Sequence, residues 1–122
     1  MTVTVRYIVT DAGVTSDFYR DALGFTVDMA MGPDFAIVSR DGLRLMLNRP
    51  GAGGAGQPSD AGDAPAPGGW NRIQLAVDDV GAEVERLVAA GARCRTSPVQ
   101  GNGGVQAVVE DPAGNPIELI SA

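Results

Sequence analysis

Apolar positions along the chain follow two periods, and the switches between them mark the elements. Across residues 2–9, Val3, Val5, Tyr7 and Val9 alternate with Thr2, Thr4, Arg6 and Ile8, which predicts a strand. Asp11 stands at the N-cap of a predicted helix. Val14, Phe18 and Ala22 then recur at helical spacing with Leu23 beside them, and Gly24 occupies the position where a glycine ends a helix. Phe25, Val27, Met29 and Met31 fall on one side of a second predicted strand, which Gly32-Pro33 turns. Residues 35–39 form a third, and Asp41-Gly42 is a hairpin turn. In a fourth, Leu43, Leu45 and Leu47 alternate with Arg44, Met46 and Asn48.

The same order then returns. Ile73, Leu75 and Val77 alternate with Arg72, Gln74 and Ala76, and Asp79 is the second N-cap. Val80, Val84, Leu87 and Val88 make a helical stripe that Gly91 ends. Residues 92–99 are a weak strand interrupted by Pro98, residues 101–104 a turn and residues 105–110 a strand. Pro112 and Gly114 shape a hairpin turn over residues 111–115, and residues 117–120 close the series. The offsets agree along the chain. Val9 and Asp11 recur as Val77 and Asp79, Gly24 as Gly91, and Leu45-Met46-Leu47 as Ile117-Glu118-Leu119. The repeat predicts an α+β fold of two tandem βαβββ units forming an open, curved mixed sheet. The helices lie outside, and the uncovered face is a concave cup. The first unit spans residues 1–49 and the second 70–122. Between them, residues 50–69 carry Gly, Ala, Pro and Asp with no large apolar side chain, which reads as a mobile linker within one domain.

Composition narrows the chemistry. All nine basic residues are Arg, against fifteen acidic ones, for a net charge of −6. With neither His nor Lys, a His-based triad, a Lys Schiff base and a His-built zinc site are excluded, and the single Cys94 cannot supply a thiolate cage. Acid–base work would fall to Asp, Glu, Tyr7, Tyr19 or Cys94. Cys94 itself reads as an inert thiol, and Tyr7, Phe18 and Tyr19 as packing residues. The acidic balance argues against nucleic-acid and membrane partners. No apolar run reaches membrane-spanning length, no signal peptide is evident at the start, and one free cysteine fits a cytoplasmic location.

Alternation also separates the strand faces. With Val3, Val5, Tyr7, Ile73, Leu75 and Val77 toward the helices, the cup receives Thr4, Arg6, Arg44, Met46, Asn48, Arg72, Gln74, Glu118 and Ile120.

Three strings are similar to a known family: Val9-Thr10-Asp11, the run Phe18-Tyr19 to Leu23-Gly24-Phe25, and Asp111-Pro112 through Gly114-Asn115 to Glu118-Leu119. Together they resemble the vicinal oxygen chelate superfamily of glyoxalase I, extradiol dioxygenases and bleomycin-resistance proteins, over the whole chain outside the linker. The resemblance implies four metal-ligand positions, usually His, Glu or Gln. Here they are Thr4, Met46, Arg72 and Glu118. Only Glu118 is a competent hard ligand, and Arg72 is a permanent cation. The expectation is therefore no metal and no cofactor.

The resemblance also brings Arg72 and Glu118 together as an ion pair, either a strut replacing the metal or a fork for an anionic ligand group. Arg6 and Arg44 read as solvated strand faces or as ligand contacts. Met46 fills space or touches ligand. Trp70 either stacks on a planar ligand or anchors the linker's end in the core. The resulting expectation is a metal-independent small-molecule-binding protein of the glyoxalase/bleomycin-resistance type, forming a homodimer and taking a polar or anionic metabolite or antibiotic. The alternatives are a lyase, isomerase or dioxygenase, metal-dependent or with Glu118 as general base, and a non-catalytic interaction module.

Overall fold

A computed structural model of the chain describes residues 2–122. The chain divides into two compact units between Pro67 and Gly68. The first contains β1 (Val3–Ile8), α1 (Ala12–Leu23), β2 (Thr26–Met31), β3 (Phe35–Arg40) and β4 (Leu43–Asn48). Its four-stranded sheet runs in the order β1-β4-β3-β2, with β1 parallel to β4 and the other pairs antiparallel. The second unit has β5 (Ile73–Ala76), α2 (Val80–Ala89), β6 (Arg93–Gly101), β7 (Gly104–Glu110) and β8 (Pro116–Ser121). Its sheet has the matching order β5-β8-β7-β6, with β5 parallel to β8. The βαβββ repeat read from the offsets is the architecture of both units.

In each unit the helix covers one face of the sheet. Tyr7, Val9, Ala36, Val38, Leu45 and Leu47 are buried in the first, and the Tyr19 and Phe25 rings meet edge to face at 5.2 Å. Ile73, Leu75, Leu87, Val109, Ile117 and Leu119 fill the second. Asp11 caps α1 by accepting from the Gly13 and Val14 amides, and Asp79 caps α2 by accepting from Ala82. Gly24 ends α1 in the left-handed region with φ 72°. Gly24→Ala is therefore expected to cost about 1 kcal/mol, measured by urea unfolding.

The buried stripe of α1 differs from the expected one. Val14 is exposed, and the inward face is Ala12, Thr15, Ser16, Tyr19, Ala22 and Leu23. The Thr15 and Ser16 hydroxyls donate to the Asp11 and Gly13 carbonyls, at 2.8 and 3.0 Å. Their polar atoms are satisfied inside the helix, so these residues can sit where the hydropathy pattern asks for an apolar side chain. Val88 of the α2 stripe is likewise exposed, as is Val3 at the start of β1.

β2 also departs from simple alternation. Val27 lies opposite Val38, but Met29 lies opposite Ile37 and Met31 opposite Phe35, with a register shift between Val27 and Met29. This bulge at Asp28 carries the two methionines off the helix-covered face that Val27 shares and onto the open one. In β6 two shifts fall between Cys94 and Thr96 and between Thr96 and Val99, the second spanning Pro98, which cannot donate to the ladder.

The segment 50–69 is not structureless. Gly54–Gly56 forms a 3-10 turn. The Gly51 amide donates to Gly56 at 2.7 Å and the Gly56 amide to Ala52 at 3.1 Å. Gly56 is required there, since a Cβ would lie 2.7 Å from the Gly51 nitrogen and 2.8 Å from the Arg49 oxygen. Ser59 and Asp63 close a second turn. Side chains also hold the first turn, Asn48 Nδ2 donating to the Ala52 carbonyl and Gln57 Nε2 to Gly53, and residues 50–67 belong to the first unit.

Candidate functional site

In the second unit, parallel pairing sets Gln74 beside Glu118 on the open face. Arg72 reaches the same carboxylate. Its Nε and Nη2 donate to Glu118 Oε1 at 3.0 and 2.8 Å, while Gln74 Nε2 donates to Oε2 at 2.6 Å. Arg72 Nη1 donates to the Trp70 carbonyl at 3.2 Å. The expected ion pair is present, with the Arg72 side chain 30% and the Glu118 side chain 12% exposed. Both carboxylate oxygens are engaged, which offsets the cost of holding a charge this far from water. Ile120 continues the open face opposite Ala76.

Trp70 is 64% exposed, so it does not anchor a segment in the core. Its ring instead lies against Arg95, whose guanidinium carbon is 4.7 Å from the ring centroid. Arg95 Nε donates to Glu110 Oε2 at 2.9 Å, Nη2 to the Gly114 carbonyl at 3.0 Å and Nη1 to the Gly69 carbonyl. One guanidinium thus ties β6, the end of β7, the 111–115 turn and the approach to β5. Sequence reasoning passed over Arg95. Its alternation was obscured by the β6 irregularity, and the only available signal was an arginine within a strand facing an acidic neighbour. Cys94 beside it is exposed and makes no disulfide.

The first unit presents the repeat-equivalent face. Thr4 lies beside Arg44, Arg6 beside Met46 and Ile8 beside Asn48. Arg6 thus occupies the place of Gln74, Met46 that of Glu118 and Thr4 that of Arg72. Arg44 Nε donates to Thr4 Oγ1 at 3.2 Å. Arg6 Nη1 donates to Asn48 Oδ1 at 3.0 Å, and Nη2 lies 3.4 Å from Met46 Sδ. Asn48 is buried, and its Nδ2 donates to the Arg49 and Ala52 carbonyls, both at 3.0 Å. Beside Asn48 a concavity of about 660 Å³ opens between the sheet and residues 51–55, with Arg6, Met31, Asp34 and Phe35 on its walls. A more polar hollow of about 400 Å³ lies by the β3–β4 turn, near Asp28, Arg40 and Arg44.

The four family ligand positions do not make a set for a hard divalent cation. Thr4 and Met46 are weak donors, each already contacted by an arginine, Glu118 has both oxygens engaged, and Arg72 is a cation. Among the described residues, no cluster of three or more Cys, Asp or Glu side chains could hold a metal ion. No described helix is long and apolar enough to cross a membrane.

A glyoxalase-like domain model matches residues 2–120. No functionally curated protein matches the chain. A glyoxalase-related enzyme from Fulvimarina pelagi superposes with a TM-score of 0.79 at 20% identity, covering 100% of this chain and 88% of that one. An antibiotic-binding protein from Streptomyces sp. CB03234 gives 0.71 at 26% identity, covering 99% and 94%. The bleomycin-binding protein of Streptomyces verticillus, in complex with copper(II)-bleomycin, gives 0.64 at 22% identity, covering 100% and 96%. With its paired βαβββ units and a domain match over nearly the whole sequence, the chain belongs to the glyoxalase-like domain family, within the vicinal oxygen chelate superfamily.

Proposed function

We propose that this protein captures a polar or anionic small molecule without a metal, in the manner of the resistance and sequestration members of its superfamily, and does so as a homodimer. One observation carries the reading. The lone competent ligand of the family set, Glu118, has its two oxygens tied to Arg72 and Gln74. A cation entering there would have to displace a guanidinium and meet its charge. Arg72 then serves as a strut that replaces a metal ion, its three nitrogens engaged by Glu118 and the Trp70 carbonyl. Two structural neighbours bind antibiotics, which supports capture. Use of Glu118 as a general base has no such support, because a carboxylate engaged at both oxygens is poorly placed to take a proton from substrate.

The test is elemental analysis of the purified protein, combined with a thermal-shift screen of metabolites and antibiotics with and without chelator. Metal content far below one equivalent is expected. A ligand that raises the melting temperature should do so equally in chelator, with a gain of about 2.7 kcal/mol at a hundredfold excess over its Kd. Light scattering on the same sample should give the mass of two chains. A stoichiometric transition metal whose removal abolishes binding overturns the proposal, and conversion of a captured compound to product replaces it with the enzyme reading.

A further inference from the structure

The two repeat-equivalent corners differ in charge balance. In the second unit the arginine meets an internal carboxylate, Arg72 with Glu118. In the first unit the position of that carboxylate is Met46, a neutral thioether. Arg6 therefore bonds to an amide oxygen and lies against a sulfur, and among the described residues it has no carboxylate partner within salt-bridge distance. A guanidinium without a counter-charge, in a protein of net charge −6, retains donors for an anion from outside.

Its surroundings specify more than charge. The register sets Ile8, Asn48, Phe35 and Met31 in one row across the open face, and the Arg6 guanidinium reaches into that row from the neighbouring one to bond Asn48. With adjacent strands about 4.8 Å apart, Asn48 and Met31 lie roughly 10 Å apart, with the Arg6 guanidinium at the Asn48 end and apolar side chains at the other. The glycine-rich residues 51–55 wall the concavity with backbone and small side chains. Phe35 offers a ring and Met31 a polarizable sulfur, both suited to an aromatic plane. Asp34, the acidic residue at this concavity, is on the exposed rim and lies 3.5 Å from Arg49. Asn48 fixes the geometry by accepting from Arg6 while donating to two loop carbonyls, an arrangement that also sets the orientation of its amide.

We infer that the first unit binds planar aromatic carboxylates, with the carboxylate on Arg6 and the ring system on Phe35 and Met31 beneath residues 51–55. This rests on the proposed small-molecule-binding function and names the ligand class and the anchoring residue. Arg72, already neutralised by Glu118, is not the anchor.

The test uses 2-naphthoate, with the uncharged 2-naphthamide and the non-aromatic hexanoate as controls, titrated into full-length protein by calorimetry and amide-resolved NMR. Binding of 2-naphthoate is expected to perturb β1, β3 and residues 51–55 and to persist in chelator. The amide and hexanoate should each bind at least about tenfold more weakly, as loss of a charge-assisted hydrogen bond or of the ring contact implies. Arg6→Gln, which installs the residue type found at the repeat-equivalent Gln74, should weaken 2-naphthoate about tenfold or more while the amide spectrum of the folded protein is retained. Phe35→Leu should weaken 2-naphthoate without affecting hexanoate. Equal binding of acid and amide, full affinity in Arg6→Gln, perturbation confined to the second unit, or no binding at millimolar concentration each overturns the assignment. If 2-naphthoate fails while other screened compounds bind independently of metal, the assignment falls and the broader function stands. If binding is lost in chelator, the broader function falls, and the Arg6→Gln comparison still judges the anchor.

Discussion

Arg95→Ala is expected to destabilise the protein by about 2–3 kcal/mol, the largest effect of any charged-residue substitution in the second unit. The Arg95 and Glu110 side chains are each 16% exposed, so removing the guanidinium leaves a mostly buried carboxylate whose other cationic neighbour, Arg93, is 3.9 Å away and exposed. Breaking a fully buried pair from one side costs about 3–5 kcal/mol, and partial solvent access reduces that figure. Loss of the donors to the Gly69 and Gly114 carbonyls adds to the cost. In a domain of this size the melting temperature should fall by about 10 °C. Arg95→Lys should recover less than half of the loss, since an ammonium cannot span Glu110 and both carbonyls at once. Trp70→Ala should cost under about 1 kcal/mol, because the ring is exposed and its stacking on Arg95 is solvated. Urea unfolding of the three variants checks the ranking. An Arg95→Ala protein within about 0.5 kcal/mol of wild type would show that the tie carries no stability.

The contrast between Arg95 and Arg72 shows what alternation can and cannot reveal. Gln74 and Glu118 lie in regular parallel strands, with Arg72 just before the first, where a period of two assigns side chains to a face; that Arg72 meets Glu118 was what the family resemblance implied. Arg95 lies beside a register shift, where the same rule fails. Asp28 is a second such place. Nothing in its identity announces an extra residue, yet the bulge there moves Met29 and Met31 onto the open face and supplies part of the apolar wall. The α1 stripe was misread for a different reason. Thr15 and Ser16 satisfy their hydroxyls within the helix, so burial depended on local hydrogen bonds rather than on hydropathy. The segment 50–69 has the composition of a flexible linker, and its own residues give little sign of order. Two side chains hold its first turn: Gln57 from within, donating to the Gly51 and Gly53 carbonyls, and Asn48 from the sheet.

Asn48 is where the sheet, the loop and the proposed ligand slot meet, and two substitutions there should separate its roles. Asn48→Leu removes the acceptor for Arg6 and the donors to the Arg49 and Ala52 carbonyls while keeping the volume. Both carbonyls retain backbone partners, the Ala52 and Gly56 amides, so the loss should be near 2 kcal/mol rather than the cost of two orphaned groups. Amide exchange over residues 51–56 should quicken about tenfold or more, with β4 less affected. Asn48→Asp keeps an oxygen for Arg6 but turns carboxylate oxygen toward the loop carbonyls, so exchange should quicken there as well. In addition it gives Arg6 an internal counter-charge, the condition Arg72 already has with Glu118. An aromatic carboxylate should then lose its advantage over the matching amide, whereas in Asn48→Leu the acid should stay the tighter of the two, because Arg6 remains unneutralised. If Asn48→Asp binds acid in preference to amide as strongly as wild type, charge at Arg6 is not what selects the ligand. If neither variant alters exchange over residues 51–56, the order of that loop does not depend on the Asn48 amide.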